Sequence, residues 1–146
     1  PNVIIDYAHT PDGLKKVLES IKNFAKGNII TVFGCGGDRD STKRPLMGSI
    51  AEKFSDYIFI TSDNPRTENP NKIIQEILNG IEKRDKINVD IDRFSAIKKA
   101  INLAEGNDIV LIAGKGHENY QILENKKIDF DDKKVAYDLL IKKLKL

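Results

Sequence analysis

Ile109-Val-Leu-Ile-Ala-Gly-Lys-Gly-His-Glu118 is the stretch on which the architecture turns. Five apolar residues in succession, without polar alternation, read as a central strand covered on both faces. Two glycines and three ionisable groups follow directly, so the loop looks more like a site than a connector. The same arrangement recurs outward along the chain. Ile29 to Phe33 runs into Gly34-Cys-Gly-Gly-Asp-Arg-Asp40, and Tyr57 to Thr61 runs into Ser62-Asp-Asn-Pro-Arg66. Val3-Ile-Ile5 reads as a further strand, and the alternating Ile87 to Ile91 as a short one.

Helical patterns fill the intervals. Thr10-Pro11 gives an N-cap with proline at the first helical position, followed by the stripe Leu14, Val17, Leu18, Ile21 and Phe24. A second helix is expected from about Pro45, burying Leu46, Ile50 and Phe54. Asn69-Pro70 repeats the cap signal before Ile73, Ile74, Ile77 and Leu78. Asp92 precedes Ala96, Ile97, Ala100, Ile101 and Ala104. The last helix is expected from about Asp131 to Leu144, with acids first and lysines last. Ile122-Leu123 and Lys127 to Asp129 read as a small antiparallel pair across Glu124-Asn125-Lys126. Alternation of this kind predicts an α/β fold: a Rossmann-like, mostly parallel sheet with helices on both faces and a small antiparallel edge. The post-strand loops then meet at the carboxyl edge of one sheet, where ligands bind in open α/β folds.

Composition narrows the function classes. The 146 residues suit one domain with a real core. A net charge of +2 from 24 basic and 22 acidic residues is too small to argue for nucleic acid. Lys142, Lys143 and Lys145 read as a solvated face at a helix end. One cysteine, Cys35, allows no internal disulfide and no multi-cysteine zinc site. No metal-ligand cluster is expected, and no apolar run approaches the roughly 18 residues of a membrane helix. A cytoplasmic location is the expectation. The chain begins at Pro1 with strand-like sequence from Val3, which reads as an excised domain.

The loops carry the chemistry. Arginine is scarce, with five Arg against 19 Lys, yet Arg39, Arg44 and Arg66 all fall in post-strand loops. A planar guanidinium is preferred where a carboxylate or phosphate must be held bidentately. Asp63-Asn-Pro-Arg66 presents an acceptor, an amide and a guanidinium around a fixed turn, though alone it also fits an Asx-turn. Asp6 ends a strand and His9-Thr10 opens a helix, which suits a nucleotide's ribose and phosphates. The plainer alternative is a cap and a surface side chain. The glycines at 34, 36 and 37 fit neither a Walker loop nor a dinucleotide fingerprint. A nucleophilic pairing of Cys35 with His117 competes with a small buried thiol.

Five segments together resemble the carboxy-terminal domain of the MurE-type Mur ligases. They are Asp6–Leu14 (DYAHTPDGL), Phe33–Gly48 (FGCGGDRDSTKRPLMG), Thr61–Pro70 (TSDNPRTENP), Asp92–Ala100 (DRFSAIKKA) and Gly114–Gln121 (GKGHENYQ). The resemblance covers nearly the whole chain in order and spacing. It implies an ATP- and Mg²⁺-dependent ligase that adds a diamino acid to UDP-MurNAc-L-Ala-D-Glu through an acyl phosphate in peptidoglycan synthesis. Family members carry UDP-binding and central ATPase domains ahead of the segment matched here, so residues 1–146 are expected to be the third domain and inactive alone. Carried over by motif, Arg39 holds a carboxylate of the incoming amino acid. Asp63, Asn64 and Arg66 read its distal end, with Arg66 clamping the second carboxylate, and Gly114 and Glu118 bind the distal amino group. Asp6, His9, Lys43 and Arg44 face ATP. Arg66 in an Asp-Asn-Pro-Arg form points to meso-diaminopimelate, with lanthionine carrying the same end groups. The alternatives are a stand-alone Rossmann-like nucleotide or amino-acid binding module, and a cysteine hydrolase using Cys35.

Overall fold

A computed structural model describes residues 1–124 and 126–145. Its elements follow the order β1 (Asn2–Asp6), α1 (Pro11–Phe24), β2 (Ile29–Phe33), α2 (Lys43–Phe54), β3 (Tyr57–Ile60), α3 (Pro70–Leu78), β4 (Ile87–Val89), α4 (Arg93–Leu103), β5 (Ile109–Ala113), β6 (Tyr120–Leu123), β7 (Lys126–Asp129) and α5 (Asp132–Leu144). Asn125, in the expected turn between β6 and β7, lies outside the described residues.

Five strands form one sheet in the order β1-β5-β2-β3-β4, every neighbouring pair parallel. β6 and β7 form the separate antiparallel hairpin. Side-chain alternation divides the core in two. Ile29 and Phe33 of β2 and Ile109, Leu111 and Ala113 of β5 pack with α1, α2 and α3. Ile30 and Val32, with Val110 and Ile112, pack with α4 and α5 on the opposite face. β5 is buried at all five positions, as its unbroken apolar run requires. The chain passes from β1 over to β2, walks outward through β3 and β4, then returns to insert β5 between β1 and β2. The order therefore reverses at the β5–β2 junction, where the loops after the two strands lead to opposite faces and open a crevice.

Local signals explain most boundaries. The Thr10 side chain accepts from Gly13 N–H at 3.1 Å, and Asn69 Oδ1 accepts from Asn71 N–H at 2.9 Å. Asp131 caps α5 by accepting from Lys133 and Lys134 N–H. Asp92 stands at the N-cap of α4, but its side chain makes no cap bond.

Packing overrides the sequence pattern in three places. α2 begins two residues earlier than expected and buries Met47, Gly48 and Ala51, while Leu46 is 56% exposed. The reason is close approach to α3: a Cβ on Gly48 would lie 2.3 Å from Ile77 O, so the helix turns its smallest residue toward its neighbour. Ile50 and Phe54 pack only at the core margin. Phe24, at the end of α1, is 57% exposed. Lys143 is not simply solvated: its ammonium donates to Ile101 O at 2.7 Å, Asn102 O at 3.0 Å and Ala104 O, satisfying carbonyls at the end of α4. Among the described residues, no helix is long and apolar enough to cross a membrane.

Candidate functional site

A cleft of about 460 Å³ opens at the carboxyl edge of the sheet, over the β5–β2 junction. Eight of the ten residues singled out in the sequence line it: Arg39, Asp63, Asn64, Arg66, Gly114, Glu118, His9 and Lys43. They come from the loops after β1, β2, β3 and β5 and from the first residue of α2. Tyr7 and Tyr120 complete the wall.

Arg39 is exposed and donates to its neighbour's carbonyl, Asp38 O, at 3.0 Å. Arg66 is half-buried, and its Nη1 donates to Gly37 O at 3.0 Å and Asn64 O at 3.3 Å. Both guanidiniums are thus oriented by backbone carbonyls, without a carboxylate partner among the described residues. The Arg66 guanidinium and the aliphatic stem of Arg39 approach Gly36, where a Cβ would lie 3.0 Å from Arg66 Nη1 and 3.7 Å from Arg39 Cγ. The two loops touch directly as well: Gly37 N–H donates to Asn64 O at 2.8 Å. A Cβ at Gly37 would fall 1.8 Å from Pro65 O, so only glycine permits this contact.

The acidic side of the cleft is built differently. Asp63 is 7% exposed, and burial pushes its carboxyl above the usual range, opposed by the nearby charges of Arg93 and Lys115. Gly114 lies against this carboxylate and donates its N–H to Asp6 O at 3.1 Å. Glu118 accepts from the Tyr120 hydroxyl at 3.3 Å and stands 4.0 Å from the Lys115 ammonium. Asn64 is buried, with Oδ1 accepting from Ile122 N–H at 2.9 Å, while Gln121 Nε2 donates to Asp63 O at 2.8 Å. The hairpin thereby clamps the Asp63–Arg66 loop, and Arg66 N–H joins it by donating to Ile122 O at 3.1 Å.

The residues expected at the nucleotide divide three ways. Lys43 Nζ donates to His9 O at 3.0 Å, so both sit together on the cleft wall. Asp6 lies one step away, lining an adjoining hollow with Tyr7, Gly116 and His117, and its Oδ1 accepts from Ala8 N–H at 2.8 Å. Arg44 is elsewhere. Its side chain is fully buried, bound to Glu68 at 2.6 and 2.8 Å and to Glu76 at 3.0 Å, and it also donates to Gly36 O at 3.0 Å. Its charge is spent inside the protein, bracing the loop after β2. Glu68 correspondingly has its carboxyl held down at about 2 by the Arg44 hydrogen bonds.

Some residues beneath the cleft escaped the sequence reading. Arg93, fully buried, pairs with Asp132 at 2.8 and 2.6 Å and donates to Ser62 O at 2.9 Å and Ala113 O at 3.4 Å. It ties α4 and α5 to the ends of β3 and β5. Lys115 is buried as well, donating to Tyr120 O, with its ammonium disfavoured by burial and by Arg93. The scarcity of arginine that drew attention to Arg39 applied equally to Arg93. Cys35 is 3% exposed, and burial pushes its thiol up to about 12, which disfavours a thiolate nucleophile near neutral pH. A groove of about 780 Å³ between Phe94, Phe130 and α5 is larger than the cleft but contains none of the residues that line it.

Fold and cleft together define a Rossmann-like α/β domain with a polar cleft at its topological switch point. Residues 1–116 match the family described as "Mur ligase, glutamate ligase domain", and the chain belongs to that family. It is 70% identical over 145 residues to the UDP-N-acetylmuramoyl-L-alanyl-D-glutamate–2,6-diaminopimelate ligase of Prochlorococcus marinus subsp. pastoris, covering 99% of this chain and 28% of that protein. The Clostridioides difficile protein of the same name is 57% identical over 142 residues, covering 97% of this chain and 29% of that protein. A solved structure of a ligase of that name superposes with a TM-score of 0.93 at 42% identity, over 97% of this chain and 29% of that one. E. coli FolC in complex with ADP shares the fold alone, at a TM-score of 0.61 and 19% identity. The chain spans between a quarter and a third of the length of the relatives it matches.

Proposed function

We propose that this chain is the amino-acid-binding domain of an ATP-dependent ligase that joins meso-diaminopimelate to UDP-MurNAc-L-Ala-D-Glu in the cytoplasm. Membership of the Mur ligase family favours this over a free-standing binding module. The observation that carries the reading is the polarity of the cleft. The side chains of Arg39 and Arg66 both approach Gly36, and they line one cavity together with Asp63 and Glu118. A diamino diacid has complementary ends, two carboxylates and an amine beyond the one that reacts. Arg39 takes one carboxylate and Arg66 the other, each as a charge-assisted fork. Asp63, Asn64, Gly114 and Glu118 receive the distal ammonium, and lanthionine satisfies the same groups. Lysine lacks the distal carboxylate and leaves Arg66 without a partner.

His9 and Lys43 form the wall that would face ATP, with Asp6 at its margin; ATP supplies the phosphoryl group that activates the acceptor carboxylate. Arg44, closed within its ion pairs, holds the loop. Among the described residues, no cluster of three or more His, Cys, Asp or Glu stands ready to hold a metal. On this reading, phosphoryl activation and UDP-sugar binding fall to parts of the full-length enzyme beyond residues 1–146.

Ligation by the full-length enzyme with diaminopimelate, lanthionine and lysine tests the reading. Diaminopimelate and lanthionine should support amino-acid-dependent phosphate release, and lysine should do so poorly. Equal use of lysine, or phosphate release indifferent to any of the three, would overturn it.

A further inference from the structure

The two cleft arginines sit in loops whose backbones are strained at corresponding places. Asp38, beside Arg39, has φ 55, and Arg66 itself has φ 54. Residues with side chains occupy this left-handed region only where the surroundings over-determine it. Here a latch between the loops does so. The Asp38 carboxylate accepts from the Thr67 hydroxyl at 2.8 and 2.9 Å and from Thr67 N–H at 3.2 Å. In return, Asp38 N–H donates to Glu68 Oε1 at 3.0 Å. Glu68 is gripped by Arg44, which also holds Gly36 O, so the ring closes on the loop from which it started.

We propose that Asp38 and Thr67 are positioning residues that fix the spacing between the Arg39 and Arg66 guanidiniums, and hence the spacing between the two carboxylates the site accepts. The inference deepens the diamino diacid reading and rests on it. Two features separate the latch from ordinary structural support. Asp38 and Thr67 are both exposed and lie outside both apolar clusters, so their bonds add little to global stability. Each also adjoins, in sequence, one of the two arginines it would position. Hydrogen bonds from Thr67 hold the Asp38 carboxyl below its usual range, keeping it an ionised acceptor throughout neutral pH.

The test is steady-state kinetics of the full-length enzyme carrying Thr67→Val, Thr67→Ser or Asp38→Ala. Thr67→Val conserves shape and removes the hydroxyl. It and Asp38→Ala should each raise KM for diaminopimelate about tenfold, within the loss that a roughly 1 Å misplacement of a binding group brings. The KM for ATP and the melting temperature should hold. Preference for diaminopimelate over lysine should narrow by the same factor, and Thr67→Ser should restore wild-type values. An unchanged diaminopimelate KM in both variants overturns the latch. So does a parallel rise in the KM for ATP with a fall in melting temperature, unfolding of either variant, or failure of the serine rescue. A wild-type enzyme indifferent to diaminopimelate instead overturns the function itself, and the latch with it. The two failures are therefore distinguishable.

Discussion

The cleft arginines and the buried arginines use one side chain for opposite ends. Arg44 and Arg93 are fully enclosed, and each meets carboxylates at 2.6 to 3.0 Å. Arg39 and Arg66 instead donate to backbone carbonyls and leave the rest of the fork facing a cavity. A buried guanidinium must be neutralised internally, because desolvation of an unpaired charge is too costly. One partly open to solvent can remain unpaired until a ligand supplies the anion. The comparison thus sorts chemically identical residues by where their counter-charge comes from: the fold for Arg44 and Arg93 and, on the function proposed above, an anionic ligand for Arg39 and Arg66.

Breaking the comparison starts with Arg93. Arg93→Ala strands Asp132 in the interior and should cost about 3–5 kcal/mol, measured by urea denaturation. Arg93→Met with Asp132→Leu should recover most of that loss, since replacing both partners removes the unpaired charge. A single variant as stable as wild type would mean the pair bears no structural load. Arg66→Ala should behave the other way. In the full-length enzyme it should weaken diaminopimelate use about tenfold or more, at 1.5–3 kcal/mol for a charge-assisted contact, with the urea midpoint little changed. Equal damage to stability would place Arg66 with the buried pair.

A further effect is a pH dependence. The carboxyl of Glu68 is held at about 2 when folded, against about 4.3 for an ordinary glutamate. Between those values the unfolded chain binds the proton and the folded chain does not, so stability rises with pH in that window. The contribution is complete above about pH 4.3 and lost as pH falls through about 2. Glu68→Gln should flatten the acid limb of a plot of unfolding free energy against pH. An unaltered slope would show that Arg44 does not depend on Glu68 for its counter-charge.

The cleft was legible in the sequence to the extent that its residues lie in post-strand loops. The glycine-rich and Asp-Asn-Pro-Arg segments are local signals, so Arg39 and Arg66 could be placed at the same sheet edge from periodicity alone. Arg44 could not be separated from them. It follows the same strand, and its burial depends on Glu68 and Glu76, 24 and 32 residues further on. Leu46 misled for a related reason: helical spacing says which residues share a face, but the approach of α3 at Gly48 decided which face is inward.

By itself, the sequence determined the strand–helix alternation, the caps at Thr10 and Asn69, the two-sided burial of Ile109 to Ala113, and the gathering of loops at one edge. These depend on interactions within a few residues or on periodicities of two and 3.6. The tertiary structure decided which charges are spent inside and which face the cleft, how the β6–β7 hairpin clamps Asn64, and how Asp38 reaches Thr67. Those depend on pairings between residues far apart in the chain, and the desolvation that makes each pairing obligatory exists only once the two faces of the sheet have closed.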